Sequence, residues 1–521
     1  MSIITVLNLI LISFGSLILI IYLIILKKPG KLSHLPSKSI FQCLKCMFSN
    51  KPRDVKHKTF IQKDLNKYKL LTLFEYGAWE IIVNCPKTAR MILNDTVNFP
   101  KEIPMDNFPN SLFAKYMGKN IVYSNGDDWK KYRKIGQRVF KKKFSTSLFH
   151  SIILNFIKKV EQANRSINTS VDVYKYMQKI TMDSLGKGVM GVDFNSVENE
   201  NVAFIAAYNQ IIRESLNPFY LLFSIFDTPR NPFRNSSYQC LYLIEDYFSK
   251  ILTEKRNKII KDNNMKDNNN DDILTLMIKA NLNNEILFSD KEIRDNIMIY
   301  ILAGHDTTSF ILSATLHYLA QNPDIQEKAR KEVMELMELK KYNNCKELDE
   351  IQFPNSEQVK GMKYLLAIIK ETIRLYPAVP RLTTRINKKE FKVNGFHIPK
   401  DCSINLDLFY IHRDNDNFKD ADKFIPERFL NEKDSKKKNI SKSVYFNSDN
   451  ENFFGFGGGS KFCIGSFFSI LEQKLVLSIL LTRYSISYPP NSPQANGAPL
   501  LLTSNFLLLT KDLYLNFRLL S

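Results

Sequence analysis

The sequence predicts a mainly α-helical fold with a small β-rich part, preceded by an N-terminal membrane helix. Three observations carry this. Apolar residues at helical spacing fill long stretches, above all Ile293 to Leu319. Two short strand pairs are marked by glycine-containing turns, Glu75-Tyr76-Gly77-Ala78 and Asn394-Gly395. The run from Ile3 to Leu26 carries no charge.

As a helix that first run would span about 36 Å, enough for a hydrocarbon core of about 30 Å. Lys27, Lys28 and Lys31 follow at once, so the positive-inside rule puts the rest of the chain on the cytoplasmic side. A cleaved signal peptide would want a basic start and a shorter apolar core, and the run has neither. An uncleaved anchor is therefore expected over residues 1–27. Pro29, Gly30 and Pro36 break the helix. Residues 28–58 are expected as a basic hinge, and residues 59–521 as one domain.

Leu70 to Phe74 and Trp79 to Val83 read as a hairpin. Pro86 to Asn94 reads as a short helix. Residues 126–160 read as helix, with Asp127 and Asp128 in the first turn and Trp129 and Arg133 on one face. Leu216 to Phe226 is strongly apolar and reads either as core or as a membrane-dipping lid. Asp262 to Asp272 and Asn431 to Asn452 are rich in Asn, Asp and Lys, and are expected as surface insertions.

Ser289-Asp290-Lys291-Glu292 is a capping box, with Phe288 and Ile293 placed as its hydrophobic staple. A helix of roughly 30 residues follows, and being apolar nearly all round it belongs at the centre of the fold. Its middle, Ala303-Gly304-His305-Asp306-Thr307-Thr308, is small and polar. A glycine there costs about 1 kcal/mol against alanine. Gly304 and Thr307 share a face, so the helix can open locally and a threonine hydroxyl can bond an incoming oxygen. The alternative is a threonine bonding back to its own helix. His305 reads as a packed helix residue.

Glu371 and Arg374 stand at i, i+3 before Pro377, a pairing common on helix surfaces. Pro426-Glu427-Arg428-Phe429 follows downstream. Phe391 to Ile398 is a hairpin over Asn394-Gly395, and Arg385 lies just before it.

Hydrophobic residues make up 44% of the chain, enough to bury a large core. The net charge is +20, from 73 Lys plus Arg against 53 Asp plus Glu. The lysines are dispersed and no nucleic-acid module is recognisable, so nucleic acid is not an expected partner. A solvated surface, a membrane surface and an acidic electron donor are the readings left. Seven cysteines, an odd number spread over the whole length, do not read as a disulfide framework. Cys43 and Cys46 lie near His34 and His57 but lack the second ligand pair a zinc site needs, and read as a chance occurrence.

The most informative run is Phe456-Gly457-Gly458-Gly459-Ser460-Lys461-Phe462-Cys463-Ile464-Gly465. The apolar stretch Phe467 to Leu480 can start a helix directly behind it, where the dipole and free N–H groups favour a thiolate. A thiolate on a glycine-rich loop can serve as nucleophile, zinc ligand or haem iron ligand.

The pattern F-x-x-G-x-x-x-C-x-G resembles the haem-binding loop of the cytochrome P-450 family, the haem-thiolate monooxygenases. Lys461 stands where the family usually has arginine or histidine. Ala303 to Thr308 is similar to the family's A-G-x-D-T-T motif. The set Trp129/Arg133, Gly304 to Thr308, Glu371/Arg374, then Arg428 and Cys463 occurs in family order. The resemblance covers the chain from the anchor to the C-terminal strands.

It implies the family's triangular helical prism and haem b, with Cys463 as axial iron ligand. Phe456, Gly457 and Gly465 would belong to the cofactor loop. Trp129, Arg133 and Arg385 would meet haem propionates. Lys461 would do so only as a point charge. Thr307 would support dioxygen, Asp306 would relay protons, and Gly304 would open the helix. Glu371, Arg374 and Arg428 would form a buried network behind the haem.

The resemblance further implies a microsomal enzyme, in the endoplasmic reticulum membrane and facing the cytosol. It would take two electrons from an NADPH-dependent flavoprotein reductase and insert one oxygen atom into a lipophilic substrate. An isomerase or dehydratase of the same fold, which the intact Asp306–Thr307 pair argues against, and a non-catalytic haem carrier or gas sensor are the other readings. Leu112, Phe113, Ile301, Val379 and the stretch Pro499 to Thr503 are the expected pocket lining. They are merely apolar, so sterol, fatty acid, terpenoid or polyketide would all suit.

Overall fold

The structure is a computed structural model. It describes residues 13, 15–16, 26–49, 51–75, 77–165, 170–199, 203–215, 217, 219–220, 223–263, 266, 268, 270–345, 347–430, 451–502 and 507–521. Most of the expected anchor and residues 431–450 of the second expected insertion lie outside the described residues.

The helix Asp290–Gln321 forms the axis of the fold. It starts where the capping box put it: the Glu292 N–H donates to Ser289 Oγ at 3.1 Å and the Ser289 N–H to Glu292 Oε2 at 2.9 Å. Phe288 and Ile293 are both buried, as a staple requires. Among the described residues it is the one helix long and apolar enough to cross a membrane, but 83% of that apolar stretch is buried in the protein. It is a core helix. Val173–Leu185, Lys363–Leu375 and Ser466–Arg483 pack around it.

The strands are short. In chain order they are β1 Leu70–Glu75, β2 Ala78–Val83, β3 Ser170–Asp172, β4 Arg385–Ile386, β5 Phe391–Val393, β6 Phe396–Ile398, β7 Ser403–Leu406, β8 Tyr484–Ser487 and β9 Tyr514–Leu519. They form a sheet β1-β2-β7-β4, a sheet β3-β9-β8 and the hairpin β5-β6. β1 and β2 pair antiparallel from Leu70 opposite Val83 to Glu75 opposite Ala78. Asn394 and Gly395 have φ of 46° and 84°, the left-handed pair that a two-residue hairpin turn demands.

Three expectations need adjusting. Residues 126–160 are not one helix: Gly126–Phe140 ends, a short turn Thr146–Phe149 intervenes, and His150–Arg165 begins. Lys141, Lys142 and Lys143 sit at the break. A cation run suits a helix C-terminus, whereas a continued helix would crowd like charges. The described part of Leu216 to Phe226 is mostly not core: Tyr220 is buried, but Phe219, Phe223, Ile225 and Phe226 are exposed. Residues 28–58 are a packed segment: Leu32, Leu35, Ile40 and Cys43 enter the cores beside β1 and β2.

Candidate active site

One face of the axial helix is open. Ala303 is exposed, and Gly304 and Thr307 are half-buried, in a helix otherwise buried on both sides of them. They line a cleft of about 290 Å³. The opposite wall is the loop Phe456 to Gly465, which runs into the helix Ser466–Arg483.

That loop is set by its glycines. Gly457 and Gly459 have φ of 73° and 63°. A Cβ on Gly459 would stand 2.2 Å from the backbone oxygen of Leu93, so no other residue fits there. The Cys463 N–H donates to the Phe456 oxygen at 3.0 Å and closes the loop. The thiol opens onto the cleft and is otherwise enclosed by protein. Burial therefore pushes its pKa up, opposed by the Gly465 N–H, the Arg133 charge and the Ser466 N–H.

Basic side chains gather at the cleft: Arg133, Arg385, Lys461 and, unforeseen from the sequence, Lys101. Lys461 Nζ donates to the Ser124 oxygen at 2.6 Å and to Asn125 Oδ1 at 3.1 Å, and lies 5.3 Å from the centre of the Trp129 ring. Arg385 bonds the Phe99 oxygen and Lys101 the Val122 oxygen. Arg133 Nε is buried without a hydrogen-bond partner. Burial lowers the pKa of all four, and Lys101 is lowered further by the charges of Lys461, Arg385 and Arg133. Lys461 comes down to about 8 and Arg385 to about 10. Among the described residues none of the four has a carboxylate partner.

The six-residue patch divides between two sides of its helix. Thr307 lines the cleft, and its hydroxyl donates to the Ala303 oxygen at 2.6 Å, the back-bond to its own helix that was the alternative reading. Gly304 lines the cleft and also packs tightly, since a Cβ there would meet Leu185 Cδ1 at 2.7 Å. Asp306 is not part of the lining. Its Oδ2 accepts from the Tyr208 hydroxyl at 2.6 Å, and burial pushes its pKa up to about 7. His305 lies 3.0 Å from the Thr181 hydroxyl through Nδ1, with its pKa lowered to about 3 by burial, and is a neutral packed residue.

Phe456, Gly457, Gly465, Trp129 and Val379 line the cleft as expected. Leu112, Phe113, Ile301, Leu500 and Leu502 are buried core residues outside its lining, Pro499 and Leu501 are exposed outside it, and Thr503 lies outside the described residues. A polar line absent from the expectations runs from Thr308 Oγ1 to Ser469 Oγ at 2.9 Å, and from there to Gln473 Nε2 at 3.0 Å. Glu371, Arg374 and Arg428 come together away from the cleft.

A family model described as Cytochrome P450 matches residues 43–517. Cytochrome P450 4c21 of Blattella germanica is 25% identical over 444 residues, covering 82% of this chain and 82% of that protein. Cytochrome P450 3A15 of Cavia porcellus is 29% identical over 411 residues, covering 75% and 74%. Cytochrome P450 3A11 of Mus musculus is 28% identical over 387 residues, covering 71% and 70%.

Proposed function

The chain belongs to the cytochrome P450 family, the haem-thiolate monooxygenases, and on that premise we propose a membrane-anchored enzyme of the microsomal type acting on a lipophilic substrate. One observation carries the reading. The Cys463 thiol and the Thr307 side chain belong to the walls of one cleft, with basic side chains gathered around it.

The residues present fit haem b, the family's cofactor. Clustered cations without a carboxylate partner are costly, and Arg133 Nε has no partner at all. A planar apolar group with two carboxylates answers both, through Arg133, Arg385, Lys461 and Lys101, with Trp129 beside them. Cys463 would ligate the iron, on the loop that Phe456, Gly457 and Gly465 shape. Haem bound there supplies dioxygen activation and insertion of one oxygen atom, with two electrons from NADPH arriving through a flavoprotein reductase.

Thr307 would hold a proton at Oγ1 by turning its hydroxyl from the Ala303 oxygen toward the cleft. Gly304 leaves that face of the helix open. Asp306, poised near neutral pKa one residue away, would supply the proton. Glu371, Arg374 and Arg428 keep the wall behind the loop in place.

Residues 1–27 are proposed as a single-pass anchor in the endoplasmic reticulum, with residues 28–58, packed beside β1 and β2, and 59–521 together forming the cytosolic domain. The exposed Phe219, Phe223, Ile225 and Phe226 support a lipid-contacting entrance. The charge of +20 supports an acidic reductase as partner.

The carbon monoxide difference spectrum of the dithionite-reduced protein in detergent tests the reading. A thiolate-type Soret band, lost in Cys463→Ala, is expected. A histidine-type band, or well-folded protein that takes up no haem, overturns it.

A further inference from the structure

The start of the axial helix and the helix Pro232–Lys261 bound a second cavity. Asp290, Ile293, Arg294 and Ile297 stand at helical spacing on one face of the first, and Leu241, Glu245, Phe248 and Leu252 on one face of the second. The short helix Leu112–Met117 and the residues just after it form the third wall. The groove holds about 730 Å³, against about 290 Å³ for the cleft at Cys463, and the two share no lining residue. Small-molecule pockets run from about 300 to 1,000 Å³.

The floor is apolar: Leu241, Phe248, Leu252, Leu274, Ile293 and Ile297 are buried side chains that line the groove. The mouth is charged, and nearly every charge there is answered. Lys119 pairs with Asp128 at 2.6 Å, Lys291 with Asp295 at 2.8 Å, and Asp290 with Arg256. Arg294 ties the three walls together. Its Nη2 donates to Glu245 Oε1 at 2.8 Å, and its Nη1 to the Lys115 oxygen at 2.8 Å and to Asp295 Oδ1 at 2.6 Å. Lys115 is the exception. Its ammonium lies 5.2 Å from the centre of the Tyr238 ring, and among the described residues it has no carboxylate partner. A ring face attracts a cation but leaves its charge uncancelled.

An apolar trough with one unanswered cation at its rim selects an occupant by two properties. The body must be apolar to cover the floor. The end must carry a single negative charge, since a cationic end would be repelled by Lys115 and a second anion would meet Glu245 and Asp290.

We propose that this groove is a second binding site, for an amphiphile with an apolar body along the floor and one carboxylate received by Lys115. The site stands apart from the cleft and holds whatever the cleft binds.

Decanoate is the probe, with decanamide as its uncharged counterpart. Binding is counted by equilibrium dialysis against the full-length, haem-loaded protein in phosphatidylcholine vesicles, with protein-free vesicles as the blank. Ser249 and Thr253 are exposed lining residues one turn apart on Pro232–Lys261, so tryptophan at either fills the mouth without entering the core. Neither they nor Lys115 line the cleft, so decanoate taken up by the cleft is common to all samples.

The wild type is expected to bind one equivalent of decanoate more than Ser249→Trp, with Thr253→Trp repeating the loss. Circular dichroism removes either variant if it has lost its fold, and the other then carries the test. Lys115→Gln should hold that equivalent roughly tenfold more weakly, the worth of one charge-assisted contact. Its affinity for decanamide should stay that of the wild type. Equal decanoate uptake by the wild type and the folded tryptophan variants overturns the site. An equivalent that Lys115→Gln holds as tightly as the wild type overturns the carboxylate assignment.

Discussion

Arg374 grips Glu371 with two parallel hydrogen bonds, Nε to Oε2 at 2.7 Å and Nη2 to Oε1 at 2.8 Å, and neither side chain reaches solvent. Arg428 Nε and the Ile425 N–H also donate to Oε1, at 3.0 and 2.8 Å. The other Arg374 N–H groups go to the oxygens of His412, Ala421 and Lys423. The network ties the helix Lys363–Leu375 to the chain that leads into the Cys463 loop. Removing its only carboxylate would leave Arg374 charged and buried. Glu371→Ala is therefore expected to cost roughly 3–5 kcal/mol, read by urea denaturation, with haem lost early in the transition. A change within about 0.5 kcal/mol, the range of ordinary surface substitutions, would contradict the network's structural role.

Glu472 gives stability a pH dependence. It is buried on the helix Ser466–Arg483, and burial pushes its carboxyl from 4.5 up to about 8, opposed by the Ser184 hydroxyl. Between those values the folded chain holds a proton that the unfolded chain has released. Stability attributable to this group therefore falls as pH rises through that window. Glu472→Gln removes the penalty. Its thermal midpoint should match the wild type near the lower bound and exceed it at the upper one, each pKa unit being worth roughly 1.4 kcal/mol. Equal differences at both pH values would show that the carboxyl is not held neutral.

How much was legible depended on how local the signal was. Pro86–Asn94, the β1–β2 hairpin and the start of Asp290–Gln321 were readable because proline, glycine and a capping box act within a few residues. Cys463, Thr307 and Glu371–Arg374 were readable as spacings. Lys101 was not, because a loop lysine belongs to no pattern and reaches the cleft only through the folded chain around it. The Tyr208–Asp306 bond joins residues 98 apart in sequence, and nothing near either one announces the other. The Lys141 break was hidden because helical periodicity resumes beyond it.

Gly304 packs against Leu185, and the contact decides what an added methyl does. Alanine is the better helix former by about 1 kcal/mol. Its Cβ, however, would fall 2.7 Å from Leu185 Cδ1, in a core where overpacking costs typically about 1–3 kcal/mol. Gly304→Ala should therefore be net destabilising by up to about 2 kcal/mol, and Gly304→Val more so. In a Leu185→Ala background the Gly304→Ala penalty should disappear or reverse, which a double-mutant cycle by denaturation measures. The same penalty in both backgrounds would place the strain elsewhere.

The exposed aromatics beyond Ser215 form a coherent surface. Phe219 meets Phe223 at a ring-centroid distance of 5.2 Å and Phe226 at 6.1 Å, with Ile225 beside them 79% exposed. Rings that contact one another yet face solvent gain little from burial in the protein itself. Each would gain up to about 1.5–3 kcal/mol if hydrocarbon covered it fully. The lipid-contact proposal therefore predicts that a Phe226→Trp reporter in the full-length protein is quenched by brominated acyl chains in vesicles, beyond the quenching shown by the wild type. The chain has only two tryptophans: Trp129 is taken up in the cleft, and Trp79 donates to the Leu26 oxygen at the end of the proposed anchor, so the wild type sets the background that the reporter must exceed. Phe219→Ser with Ile225→Ser should weaken the added quenching by withdrawing its neighbours from the bilayer. A reporter no more quenched than the wild type would mean that this surface meets water or protein, and the entrance would have to be sought on another face.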